Sequence, residues 1–128
     1  MIKTGTIPEE VCKAWDCRSG PVVFSTVDLN GMPNAIYVTC VSRYNESIIV
    51  VADNYFDKTR QNILSGSKAS VLFITGDKTS YQLKGTIKYL KGGMIFRDMK
   101  KWNPPQHPGR GVVVLQVKEV YRGSVKLK

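Results

Sequence analysis

The residues with the most to offer chemically lie between 50 and 63, Val50-Val51-Ala52-Asp53-Asn54-Tyr55-Phe56-Asp57-Lys58-Thr59-Arg60-Gln61-Asn62-Ile63. An apolar strand runs into a loop and then into a helix start. The first N–H groups of a helix lack partners within it and form a ready anion site. Lys58 adds a point charge and Thr59 a hydroxyl donor in the same turn. Together they suit a phosphate group. The same residues also suit a plain surface helix capped by Asp57.

Other chemistry has weaker support. The three cysteines, Cys12, Cys17 and Cys40, are an odd number, which argues against a closed disulfide framework. A metal site would need more ligands, and the single histidine, His107, lies far downstream of Cys12 and Cys17. Reduced thiols and no metal are therefore expected. No side chain stands out as a general acid or base.

A net charge of +9 favours anionic partners, whether nucleic acid, a membrane surface or a phosphorylated small molecule. The lysines are scattered, however, and Lys100-Lys101 is the only adjacent basic pair, so simple solubility is the plainer reading. Neither an RNA-binding aromatic motif nor a helix-turn-helix pattern is present. At 128 residues the chain is expected to be one domain, 1–128, with enough length to bury a core without disulfides. It has no apolar run of the roughly 20 residues a spanning helix needs, and its first residues lack the apolar core of a secretory signal. A cytoplasmic location is the expectation.

The elements that must position Lys58 and Thr59 are mostly strands. Pro8-Glu9-Glu10 suits a helix start, with Val11, Ala14 and Trp15 at helical spacing, and Ser19-Gly20-Pro21 ends it. Val22 to Val27 reads as the first strand, Asn30-Gly31 as a turn, and Asn34 to Ser42 as the second strand. Ser47 to Ala52 is the third, and its unbroken apolar run predicts burial on both faces. A short helix follows Asp57 and stops at Gly66. Ser70 to Thr75 is the fourth strand, Tyr81 to Leu90 a long fifth, and Val112 to Tyr121 the sixth. Between the last two, Ile95, Met99 and Trp102 mark one face of a helix ended by Asn103-Pro104-Pro105. The expectation is a mainly β fold, a six-stranded antiparallel split barrel of Greek-key type with short flanking helices.

At these residues the chain resembles a known family. The stretch Asp57-Lys58-Thr59-Arg60-Gln61-Asn62-Ile63 after an apolar strand is similar to the phosphate-binding turn of FMN-binding split-barrel proteins, the pyridoxamine 5'-phosphate oxidase-like family. Gly20 to Val27 followed by Asn30-Gly31-Met32-Pro33-Asn34 resembles the family's first hairpin. Lys84-Gly85-Thr86 in the long fifth strand and Val117-Lys118-Glu119-Val120-Tyr121 near the end also agree. Each motif is loose, but their order and spacing together are fairly specific.

The resemblance implies FMN bound between the two subunits of a homodimer. It places the flavin ring along Tyr37, Val38 and Thr39, capped by Val51, Ala52, Asp53 and Asn54, with the phosphate on Lys58 and Thr59. Gln82 is a further candidate, and Trp102 could reach the partner's flavin or simply serve the core. The flavin's pyrimidine edge offers both a donor and acceptors, which Asp53 and Asn54 could answer. The chain departs from the oxidase proper. It is much shorter, and it lacks the C-terminal Arg-x-His pattern that grips the vitamin, His107 and Arg110 being three apart. Electron transfer or reduction through FMN is therefore the expected role, with the redox partner or substrate unspecified. The alternatives are an oxidase of a phosphorylated amine, a deazaflavin-dependent reductase, and a cofactor-free basic barrel binding nucleic acid.

Overall fold

A computed structural model describes residues 5–128. Eight strands form one antiparallel sheet in the order β2-β1-β5-β6-β7-β4-β3, with β8 paired to β7. The strands are β1 (Val22–Val27), β2 (Pro33–Val38), β3 (Val41–Arg43), β4 (Ile48–Asp53), β5 (Lys68–Ile74), β6 (Ser80–Leu90), β7 (Gly111–Arg122) and β8 (Val125–Lys126). The helices are α1 (Glu9–Asp16), α2 (Lys58–Leu64) and α3 (Met94–Trp102). β5, β6 and β7 are antiparallel neighbours in chain order, β5 joined to β6 by a turn and β6 to β7 through α3, and β4 lies against β7, which is Greek-key order.

Two strands lie outside the expected six. The run from Asn34 to Ser42 is broken at Thr39-Cys40, where Val41 N–H turns back to the Thr39 carbonyl and Ala52 N–H reaches the Cys40 carbonyl. That bend separates β2 from β3. β8 is two residues long, too short to carry a hydrophobic pattern.

The bend has a larger consequence. β2 and β3 are consecutive in the chain but stand at opposite ends of the sheet path. The sheet must curl until its two ends meet, which leaves a seam between edge strand β2 and the end of β4. Inside the curl, Val22, Phe24, Val71, Phe73, Leu83, Leu115 and Val51 form the main core. Trp15 of α1 enters it edge-on to Phe73, with ring centroids 5.2 Å apart. A second cluster lies on the outside of β4 and β7, where Val50, Ala52, Val112 and Val114 are covered by Met99 of α3. β4 is therefore buried on both faces, as its unbroken apolar run requires.

Candidate functional site

The seam opens as a cleft of about 320 Å³ lined by Ile36, Tyr37, Val38, Thr39 and Cys40 on one side. Ala52, Asn54, Tyr55, Phe56 and His107 form the other side. β2 is an edge strand, so alternate backbone N–H and C=O groups along it face away from β1 without ladder partners. The cleft thus has an apolar floor and a hydrogen-bonding rim, the usual make-up of a cofactor pocket.

The opposite wall is the turn from β4 into α2, and Asp53 holds it. This carboxylate is fully buried. Its Oδ2 accepts from Arg60 Nε at 2.6 Å and from the Tyr89 hydroxyl, and its Oδ1 accepts from Phe56 N–H at 3.0 Å and Arg60 Nη2 at 3.2 Å. A carboxylate has about four acceptor positions, so none is left for a ligand. Burial alone would raise the Asp53 pKa. The bonds from Arg60, Tyr89 and Phe56 outweigh it and hold the carboxyl below its ordinary value. Burial and the Asp53 contact push the Tyr89 phenol up in turn, and the same carboxylate strengthens the charge on Arg60. Gly111 makes room for this knot, since a Cβ there would stand 2.5 Å from the Tyr89 ring.

Asn54 ties the wall to a distant loop. Its side chain and that of Asn103 exchange hydrogen bonds of 3.1 and 2.8 Å, and Gly109 N–H donates to Asn54 Oδ1 at 2.9 Å. Lys100 Nζ donates to the Pro108 carbonyl at 3.0 Å. The segment after α3 is so held against the turn, and it carries His107 to within 3.2 Å of the Tyr55 hydroxyl. The carbonyl of Asn54 is occupied, but its amide has a second N–H available for the cleft.

The fold gathers some of the candidate residues and separates others. Tyr37, Val38, Thr39, Ala52 and Asn54 are brought together in the cleft. Val51 is fully buried in the main core, because alternation along β4 turns it inward between Val50 and Ala52. Asp53 supports the wall from behind rather than lining it. Gln82 faces outward on β6; the pairings Tyr37–Val23, Val23–Leu72 and Leu72–Gln82 place it three strands from Tyr37, roughly 14 Å away. Trp102 packs with Met99 and Val50 in its own chain and lines a neighbouring cleft with Thr39, Cys40 and His107. Its buried indole N–H has no hydrogen-bond partner.

At the end of the wall, α2 begins within two residues of Phe56. Asp57 stands at its N-cap position but makes no side-chain cap bond, contrary to the expected capping. Lys58 is exposed. Thr59 is buried, and its hydroxyl oxygen accepts from Asn34 Nδ2 of β2 at 2.9 Å, which pins α2 across the seam. Ile36, Cys40, Tyr55, Phe56 and His107 were not anticipated. Tyr55 and Phe56 carried a signal, being aromatic residues in the loop just before the helix start.

A family model described as pyridoxamine 5'-phosphate oxidase matches residues 8–122, and the chain belongs to that family. An uncharacterized protein of Methanocaldococcus jannaschii is 29% identical over 121 residues, covering 90% of this chain and 79% of that protein. The solved structure of HupZ from Group A Streptococcus superposes with a TM-score of 0.80 at 20% identity, over 91% of this chain and 94% of that one. An FMN-binding protein from Syntrophomonas wolfei gives a TM-score of 0.76 at 20% identity, over 88% of this chain and 82% of that one. These two structures share the split-barrel fold with this chain. Among the described residues, no helix is long and apolar enough to cross a membrane.

Proposed function

We propose that the chain binds FMN in the seam, as one half of a homodimer, and serves in electron transfer or as a small flavin-dependent reductase. The observation that carries this reading is the seam's composition. An edge strand with free backbone groups faces an apolar wall that leads directly into an uncapped helix start bearing Lys58. The residues suit the cofactor. Ile36, Val38 and Phe56 offer apolar contact to a flavin ring. The free amide N–H of Asn54 and the edge of β2 offer hydrogen bonds to its pyrimidine side, and Lys58 offers charge to its phosphate. Bound FMN would supply the redox chemistry, and the chain would supply orientation and exclusion of water.

The open side of the cleft supports the dimer. Tyr37 on β2, Val23 on β1, and Leu72 and Ile74 on β5 share the outer face beside it, and Tyr37 is 76% exposed while Leu72 and Ile74 are each 39% exposed. A second copy seated there would cover this apolar strip and roof the flavin, and closed two-fold dimers are the commonest soluble assembly.

Purification and release of the native cofactor test the reading. A yellow protein whose released cofactor has the absorbance and chromatographic mobility of FMN is expected. A colourless protein that takes up no FMN would overturn the flavoprotein reading, and a released deazaflavin would replace FMN as the cofactor.

A further inference from the structure

The positive charge of this chain is unevenly placed. Residues 84–128 hold eleven of the 19 basic residues and two of the 10 acidic ones. The whole net charge of +9 therefore resides there, and residues 1–83 are balanced. α3 and its flanks carry much of it, with Lys91, Arg97, Lys100, Lys101 and Arg110 set against Asp98 alone.

Helical geometry sorts these residues. Met99 is fully buried against Val50, Ala52, Val112 and Val114 and marks the inward face of α3. At about 3.6 residues per turn, Met94, Arg97 and Lys101 fall in one stripe on the opposite face. All three are exposed, as are Lys91 just before the helix and Arg110 after it. Lys100 is committed elsewhere. Its Nζ donates to the Pro108 and Gly109 carbonyls at 3.0 and 3.3 Å, holding the loop that leads to Arg110. Among the described residues, Lys91, Arg97, Lys101 and Arg110 make no ion pair. Met94, 71% exposed, adds an adaptable apolar contact to the stripe. An apolar centre with charge around it is the make-up of a protein-docking face.

The position of α3 bears on the partner. The helix covers β4 and β7, whereas the apolar strip proposed for the dimer lies over β2, β1 and β5, with β6 between them. The last residue of α3, Trp102, lines a cleft with Thr39, Cys40 and His107, and these three also line the seam. One helix thus links the cationic stripe to the proposed flavin site. Nucleic acid suits the stripe poorly. Phe96 and Trp102 pack inward, and Lys100 Nζ lies 5.7 Å from the centre of the Phe96 ring, so no stacking platform accompanies the cations.

We propose that the outer face of α3 docks an acidic protein, the redox partner of the proposed flavoprotein. The partner's redox role rests on the electron-transfer reading above; the docking surface rests on the charge and exposure of α3. Redox encounters of this kind bury less than about 1,200 Å², and opposite charge speeds their formation.

The experiment uses a strongly acidic two-iron ferredoxin, in its oxidised form, as the probe. It is added to the isotopically labelled protein as purified and followed by amide NMR. Saturable shifts are expected on residues 91–101 and on Arg110, weakening as salt is added. Arg97→Glu combined with Lys101→Glu should weaken binding about 10-fold or more and leave FMN affinity unchanged. Lys13→Glu, a reversal at an exposed site on α1, should bind the probe nearly as wild type does. No shifts, shifts spread evenly over the surface, or a double variant that binds like wild type would overturn the proposal. Equal weakening by Lys13→Glu would reduce the effect to net charge and overturn it too. A single-stranded oligonucleotide that binds the same residues more tightly than the ferredoxin would replace it with a nucleic-acid surface. A protein that takes up no flavin yet shows the expected shifts would keep the docking face and overturn only the flavoprotein reading.

Discussion

Asp53 and Trp102 bear on the cleft in different ways, Asp53 from behind its wall and Trp102 from the neighbouring cleft. Asp53→Asn removes the charge that Arg60 and Tyr89 are built around and should destabilise the protein near neutral pH by less than the roughly 3 to 5 kcal/mol of a fully buried pair, because the Arg60 side chain is partly exposed. The fold holds this carboxyl below its unfolded value near 3.8. Its stabilisation is therefore complete above that pH and is lost as pH falls through the still lower folded value. Urea midpoints measured from pH 7 down to pH 2 should show the gap between wild type and variant closing at the acid end. A gap constant across the range would remove Asp53 from this role. Trp102 lines the cleft next to the seam, sharing Thr39, Cys40 and His107 with it. Its fluorescence should be quenched when flavin binds, and Trp102→Ala should weaken FMN binding by about 1 to 3 kcal/mol. Equal affinity in the two proteins would leave Trp102 as core packing alone.

At the scale of elements, the turn from β4 into α2 and the segment after α3 act as one wall because Asn54 and Asn103 join them. Asn103→Ala leaves the buried Asn54 amide without its reciprocal partner. It should cost about 1 to 3 kcal/mol in stability and raise hydrogen exchange across residues 104–110. Exchange unchanged in that segment would show that Lys100 and the prolines hold it without the clasp. Much of this element plan was legible in the sequence. The unbroken apolar run of β4 encodes its burial on both faces, and Asp57 to Ile63 encodes the helix that follows. What escaped was long-range. Asn54 finds Asn103 across 49 residues and Asp53 finds Tyr89 across 36, and no local pattern encodes either pairing. The type and position of Asp53 suit a ligand contact, but its side-chain oxygens are taken up within the chain. Arg60, its partner within the chain, lies seven residues on in α2, across a loop whose geometry no helical or strand spacing encodes. The break at Thr39-Cys40 was hidden because β-branched residues flank it on both sides.

At the scale of the molecule, a curled sheet with an open seam exposes both an apolar strip and one face of the cleft proposed for FMN, and the proposed second copy would cover both. Leu72→Lys places a charge in the middle of that strip, on a side chain that makes no inward contact with the main core. Light scattering should report a dimer for wild type and a monomer for the variant, with FMN binding weakened in parallel and the fold intact by circular dichroism. A monomeric wild type that holds FMN as tightly as any dimer would remove the shared site. The placement of FMN itself, with its phosphate at the start of α2, is tested most directly by titrating FMN and riboflavin into wild type and Lys58→Ala. The two flavins differ only in the phosphate. A charge-assisted hydrogen bond is worth roughly 1.5 to 3 kcal/mol, so FMN should bind the variant about 10- to 150-fold more weakly, less so as salt is added. Riboflavin should bind both proteins alike. If the two flavins lose affinity equally, or neither does, Lys58 does not hold the phosphate and FMN does not lie in the seam as proposed.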